Sequence, residues 1–354
     1  MSIDVSLLSK ICKAPGAPGY ERVIRQLIHK EISELADKVT MDAMGNVVAK
    51  IKGKSSEKKI MAAAHMDEIG FMVNYIDDDG FIHFNPLGGF DPKTLTSQRV
   101  IIHGKKDIIG VMGCKPIHIM SAEEKGKVVK LEDYFIDTGL SKKELLKIVE
   151  VGNPITRERD LIEMGECVSG KSLDNRISVY LLIETLKKLK SEKLLPCYDF
   201  YAVFTVQEEV GLRGASVSTL DIQPDFGIGL DVTIACDVPG TPKKNHITKL
   251  GGGVAIKIMD ASTICDYRMV DFMKKTAEIE SITWQPEVLT AGGTDTAGLQ
   301  RMSAGGSISG AISIPVRYIH QVTEMANKHD IAEGIKLLTA TLLNLSEHDW
   351  SLLK

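Results

Sequence analysis

The sequence predicts an α/β fold: a mixed sheet with helices on both faces, interrupted by a small β-rich insertion. Three observations predict it. Apolar strand-like runs alternate with amphipathic helical stretches near the start of the chain and again after about residue 166. Between them, from about 71 to 165, helical periodicity nearly vanishes and short strand-like pieces follow one another between Gly, Asp and Lys turns. Several apolar runs also lack polar alternation, the mark of strands covered on both faces.

Taken in order, Val23, Ile24, Leu27, Ile28, Ile32 and Leu35 recur at helical spacing and predict a helix over 20–36. A short strand, NVVAKIKG, follows, and the run from Ile60 to Ala64 reads as a buried strand ending at His65. The insertion carries GFMVNYI, GFIHFNPLG, RVIIHGK and DIIGVMG, and closes near SKKELLKIVEV. Beyond it, DNRISVYLLIETLKKLKSE predicts a helix and YDFYAVFTV, FGIGLDV and GGVAIKIMD predict strands. A helix over DYRMVDFMKKTAEI, a strand over GAISIPVRYIH and a final helix over HDIAEGIKLLTATLLNLSEH complete the series. The organisation is one discontinuous domain, 1–70 with 166–354, carrying an inserted module at 71–165.

With 354 residues the chain can bury a full core without staples. Its hydrophobic (44%) and charged (25%) fractions are those of globular proteins. A formal charge of −4 gives no footprint for nucleic acid or an anionic membrane surface. No run of about 18 apolar residues predicts a membrane span, and the N-terminus lacks the apolar core of a signal peptide. The six cysteines are scattered without a CxxC pair, as expected of reduced thiols in the cytoplasm.

Chemistry-bearing residues gather where predicted buried strands end, the place where open α/β sheets hold ligands. AHMDEIG offers His65 and Asp67, a pair that can place an imidazole on a metal with a carboxylate orienting the ring. The alternative there is a polar surface turn. KSLDNR offers Asp174 at a helix start, where an aspartate is commonly an N-cap. VFTVQEEVGLRGA offers Glu208 and Glu209 after an apolar strand; neighbours in a strand point to opposite faces, so both reach one site only where the chain bends. GIGLDVT ends a buried strand in Asp231, whose carboxylate needs a partner. His320 in RYIHQVTE follows another strand. Imidazole and carboxylate ligands without thiolates suit Zn²⁺, Co²⁺ or Mn²⁺. Five ligands exceed one open tetrahedral site and suffice for two ions roughly 3.5–4 Å apart.

In these motifs the chain resembles the M42 metallo-aminopeptidases, which include glutamyl and tetrahedral (TET) aminopeptidases. The resemblance runs nearly end to end through AHMDEIGFMV, GKSLDNR, VQEEVGLRGA, GLDVT, GGTDTAG and YIH followed by a glutamate. It implies a metallopeptidase domain with an inserted PDZ-like dimerisation domain, and dimers assembling to a dodecamer that encloses its active sites. The implied activity is removal of N-terminal residues from peptides with a free N-terminus. His65 and Asp231 would bind one metal, Glu209 and His320 the other, and Asp174 would bridge. Glu208 would be the general base acting on a metal-bridging water, and Asp67 would orient His65. The implied cofactors are two divalent ions, Zn²⁺ or Co²⁺ foremost and Mn²⁺ compatible. Relatives tend to read Ser-Pro-Val before the final glutamate, where this chain has Gln321-Val322-Thr323.

Rival readings attach to three features. Gly165 to Ser172 matches the P-loop pattern, although the preceding RERDLIEM is no buried strand. Glu208 and Glu209 could serve a glycosidase, which would leave His65, Asp231 and His320 without a role. A non-enzymatic assembly protein would have no use for the ligand set. The Gly-rich GGTDTAG and SAGGSISGA stretches read as tight packing or backbone approach to substrate, and His118 as structural.

Overall fold

The computed structural model describes residues 3–353. Its centre is a mixed sheet with eleven strands among these residues. Four strands at its heart run parallel: Tyr198–Thr205, Ser55–His65, Phe226–Ile234 and Ile308–Arg317, side by side in that order. Their alignment is close to level, with Thr205 opposite His65 and Asp231 opposite Ser313. All four therefore deliver their C-terminal ends to one edge of the sheet. Val47–Ile51 on one side and Glu324–Asn327 on the other run antiparallel to these four, and Cys167–Gly170 pairs antiparallel with Glu324–Asn327.

The period of two along Ser55–His65 builds both layers of the core. Ile60, Ala62 and Ala64 join the large cluster formed with helices Val5–Lys13, Arg22–Ile32, Leu173–Ser191 and Lys328–Asn344. Met61 and Ala63 point the other way, toward Ile222 and Leu299 of helices Arg213–Ile222 and Thr296–Arg301. Each fully buried aliphatic side chain stabilises by about 1.5–3 kcal/mol relative to exposure. Local signals start the helices: Asp266 accepts the Arg268 amide at 2.9 Å, and Asn327 accepts that of His329 at 2.8 Å. The helix Leu173–Ser191 is buried on nearly every side, because the N-terminal helix, the final helix and the sheet all pack on it.

Strands Gly70–Ile76, Ile82–Leu87, Arg99–His103, Asp107–Gly113, Phe135–Asp137 and Pro154–Arg157 close into a separate barrel. Phe71, Val73, Ile82, Val100, Ile102 and Ile155 alternate inward to fill it. By Ile162 the chain is back in the large sheet, as a hairpin of Ile162–Met164 with Cys167–Gly170. That hairpin and the helices Val5–Lys13 and Arg213–Ile222 were not among the predicted elements.

Candidate active site

The site forms where the four parallel strands end. His65 is the last residue of its strand, and Asp231 lies near the end of the next one. Beyond Thr205 the chain turns sharply, with Gln207 in the left-handed region at φ 55°. That bend lets Glu208 and Glu209 line the same cleft, as their position on one strand would forbid. Beyond Arg317, His320 takes φ 66° and returns its ring to the cleft. Asp174 arrives from the opposite side, inside the first turn of Leu173–Ser191, where it is not the N-cap; the Asp174–Asn175 peptide is cis.

The distances sort these residues into two groups joined at Asp174. His65 Nε2 lies 3.3 Å from Asp174 Oδ1, 3.7 Å from Asp231 Oδ1 and 3.8 Å from Glu208 Oε2. His320 Nε2 lies 3.3 Å from Asp174 Oδ2 and 3.4 Å from Glu209 Oε2. Donor atoms of His65, Asp174 and Asp231 fall within 4.8 Å of one another, and so do those of Asp174, Glu209 and His320. One carboxylate thus belongs to both groups, an oxygen to each.

Hydrogen bonds to backbone hold the donors in place. The Asp67 carboxylate accepts the Glu208 and Glu209 amides at 3.1 and 3.2 Å, which pins the bend after the strand. His65 Nδ1 lies 3.2 Å from the Asp67 carbonyl oxygen and 3.5 Å from its carboxylate. The carboxylate is occupied by the two amides, so its backbone makes the shorter contact with the ring. Glu324 accepts the His320 amide at 2.9 Å and the Asp174 amide at 3.0 Å. Arg157, from the barrel, donates to the His320 carbonyl at 3.0 Å and lies over the Phe90 ring. His320 is therefore gripped at both its backbone polar groups. A non-glycine residue at positive φ costs roughly 1–3 kcal/mol, and this grip holds it there. The Asn175 side chain donates to Leu230 O at 2.8 Å, tying the Asp174 turn to the Asp231 strand.

The electrostatics call for a cation. Burial pushes the Glu208 carboxyl well above the ordinary range, and Asp231 and Glu209 push it further. Burial likewise raises Glu209 and Asp231. Asp174 is held down despite burial, because it sits between the His320 and His65 imidazoles. Burial opposes charge on both histidines, yet the carboxylates around them win and raise both. Carboxylates crowded this closely resist ionising together unless positive charge is added. Glu209 Oε1 is buried without a hydrogen-bond partner, which suits a ligand atom awaiting an ion. The oxygen and imidazole donors fit a divalent transition metal in each group.

All seven residues singled out by sequence, His65, Asp67, Asp174, Glu208, Glu209, Asp231 and His320, meet here. The P-loop reading fails on Lys171, whose ammonium is buried against Glu68 at 2.7 Å and not free for a phosphate. Together with Ser172 and Arg176, that pair anchors the turn before Asp174; Arg176 also donates to the carbonyls of Ile11 and Ala14. His118 is exposed on a turn of the barrel. Sequence reasoning missed Arg157, for which no local signal exists, since its partner is 163 positions away. It also missed Asp295 in the Gly-rich GGTDTAG stretch. Burial lifts Asp295 to about 7, and it accepts the Thr205 hydroxyl. Lys257 was missed as well, although a lysine inside the apolar VAIKIM strand is itself a signal, because a buried ammonium requires acids around it.

Comparison with known proteins points the same way. The sequence profile of the M42 glutamyl aminopeptidase family matches residues 45–337. A lysyl aminopeptidase of Pyrococcus furiosus is 34% identical over 357 residues, covering 99% of both chains. Among solved structures, a TET aminopeptidase from a Thaumarchaeota archaeon superposes with a TM-score of 0.93 at 33% identity, covering 96% of each chain. The Pyrococcus horikoshii TET1 peptidase, described as assembling into a tetrahedron or a large octahedral shell, gives 0.85 at 33% identity, covering 96% of this chain and 99% of that one.

Proposed function

The chain belongs to the M42 glutamyl aminopeptidase family of peptide-hydrolysing enzymes, and from that premise we propose a two-metal aminopeptidase acting on free N-termini. The observation that carries the metal count is the division of donors into two groups sharing Asp174. In this reading His65 and Asp231 hold one ion, Glu209 and His320 the other, and Asp174 spans both. Zn²⁺ or Co²⁺ suits these donors, and Mn²⁺ is compatible. When bound, such ions would polarise the scissile carbonyl and make water a competent nucleophile near neutral pH.

The protein's own groups do the rest. Glu208 accepts the proton of the attacking water and delivers it to the departing amine. A carboxylate held in the cleft beside both ligand groups can serve both halves of that transfer. Asp67 fixes where Glu208 stands, through the amides it accepts. Glu324 and Arg157 fix His320. A glycosidase would use Glu208 and Glu209 and have no need of the two histidines that touch them.

The barrel serves as the dimerisation domain in this reading, with dimers building a dodecamer; the shells formed by the P. horikoshii peptidase support it. Six free cysteines accord with a cytoplasmic location. No helix among the described residues is long and apolar enough to cross a membrane.

The test is hydrolysis of aminoacyl-p-nitroanilides beside their N-acetylated counterparts, before and after chelation and with Zn²⁺, Co²⁺ or Mn²⁺ restored. Cleavage confined to free amines, lost on chelation and regained with metal, is the expected result. Equal cleavage of blocked substrates, or indifference to chelator, would sink the reading.

A further inference from the structure

Asp174 gives an oxygen to each donor group, yet no strand carries it. The chain leaves the strand Cys167–Gly170, passes Lys171 and turns through Ser172 at φ 61°. It reaches Asp174 and Asn175 while still outside helical geometry. A serine in the left-handed region persists only where its surroundings hold it there.

Glu68 holds this turn on both sides of Asp174. Its carboxylate is wholly inaccessible and accepts the Lys171 ammonium at Oε1 and Oε2, at 2.9 and 2.7 Å. Oε2 also accepts the Ser172 hydroxyl at 2.5 Å, and the Arg176 guanidinium stands 3.7 Å from Oε1. Arg176 is itself fastened to the carbonyls of Ile11 and Ala14, and the Glu68 amide donates to the Gly16 carbonyl at 2.9 Å. The network is thus tied to the N-terminal segment that packs behind it. Burial opposes charge on Glu68, but Lys171 and Arg176 outweigh it and hold the carboxyl below its ordinary range.

None of Glu68, Lys171, Ser172 and Arg176 lines the cleft, and all four are nearly inaccessible. They reach the chemistry only through the turn they fix. Glu68 also follows Asp67, which accepts the Glu208 and Glu209 amides. One dipeptide therefore aligns two walls of the site, Asp67 the bend and Glu68 the Asp174 turn.

We propose that Glu68, acting with Lys171 and Ser172, is the positioning residue of the shared carboxylate, and that through Asp174 it sets the affinity of both ions together. The inference rests on the two-metal reading and adds to it the group that couples the two sites. It also gives a role to the Lys-Ser of the P-loop match, which holds a protein carboxylate and not a phosphate. The signature differs from that of Arg157, which reaches His320 alone among the donors.

The experiment titrates Co²⁺ into the chelated full-length protein against a chromogenic chelator, following the visible absorption of bound Co²⁺ in each step. In Lys171→Met, Glu68 keeps Arg176 and the Ser172 hydroxyl, so one acid still faces one cation. Both ions should bind about 10–100-fold more weakly in this variant. The Co²⁺ bands of both steps should shift, because the ligand that moves belongs to both. Ser172→Ala removes only a hydroxyl and should weaken both ions by about fivefold. It decides the matter should Lys171→Met fail to fold. Weakening of a single ion would overturn the proposal, and so would lower thermal stability with affinities and bands unchanged. Wild-type protein that binds fewer than two ions would instead overturn the two-metal reading, and the inference with it.

Discussion

The two halves of the donor cluster are built by different means. His65 and Asp231 sit on neighbouring parallel strands, and both are nearly inaccessible, at 2% and 5%. Their strands pair up to Ala63 and Gly229, two residues below, so sheet registry aims both at one point and the core beneath supports them. Glu209 and His320 sit beyond the ends of their strands, in bends that sheet pairing does not dictate. The His320 side chain is 33% exposed and its backbone is left-handed. What positions it is polar: Glu324 on its amide and Arg157 on its carbonyl, the latter supplied by the inserted barrel. The deep half is therefore a product of the fold, and the outer half depends on a few hydrogen bonds and on how the barrel sits. Under the two-metal proposal, the outer ion should exchange more readily than the inner one.

The largest expected effect breaks the chemistry and leaves both halves standing. Glu208→Gln keeps the shape of the cluster and removes the proton acceptor, so turnover should fall by roughly 10²–10⁴-fold. Metal content, measured by inductively coupled plasma mass spectrometry, should stay at the wild-type value. Turnover near wild type would show that another group takes the proton.

Removing one ligand from each half sharpens the comparison. His65→Ala should destabilise the metal-free protein by about 2–4 kcal/mol in denaturant unfolding, since crowded carboxylates lose their buried imidazole. His320→Ala should cost the fold less than about 1 kcal/mol yet leave only one tightly held ion. Equal losses of stability would mean that the halves do not differ as described.

The grip on His320 comes next. Arg157→Met should weaken binding of the more weakly held ion by about 10–100-fold in competition with a chromogenic chelator, with the tighter ion unaffected. Arg157→Lys should restore part of that affinity, because it returns a donor within reach of the carbonyl. If both affinities fell together, Arg157 would be a general stabiliser and not a positioning residue. The smallest effect is expected at Gly89. A Cβ there would approach His320 Nδ1 at 3.5 Å, ordinary van der Waals contact, so Gly89→Ala should change kcat by less than about threefold. A large loss would show that the barrel loop closes on the substrate more tightly than this spacing allows.

The same contrast explains what could be read from the sequence. His65 and Asp231 announce themselves as polar residues closing apolar runs, because a buried strand end is a local pattern. Glu208 and Glu209 were visible as candidates, but the bend at Gln207 that unites them was only a condition. Asp174 looked like an N-cap, and its true placement depends on Glu324, 150 positions away. Helix Arg213–Ile222 escaped notice because it buries mainly small residues such as Gly214, Ala215 and Ser218, which give little periodic signal. The barrel was legible as texture, while its contribution to the site was not. Arg157 reaches His320 through tertiary contact alone.

The most direct test of the central claim is a titration of Co²⁺ or Zn²⁺ into the fully chelated protein, following bound metal and aminoacyl-p-nitroanilide hydrolysis together. The expected result is two ions per chain bound in separable steps, with activity appearing as the second, weaker one fills. Full activity with a single ion bound, or two ions binding as one indistinguishable step, would contradict a rigid inner site paired with a labile outer one.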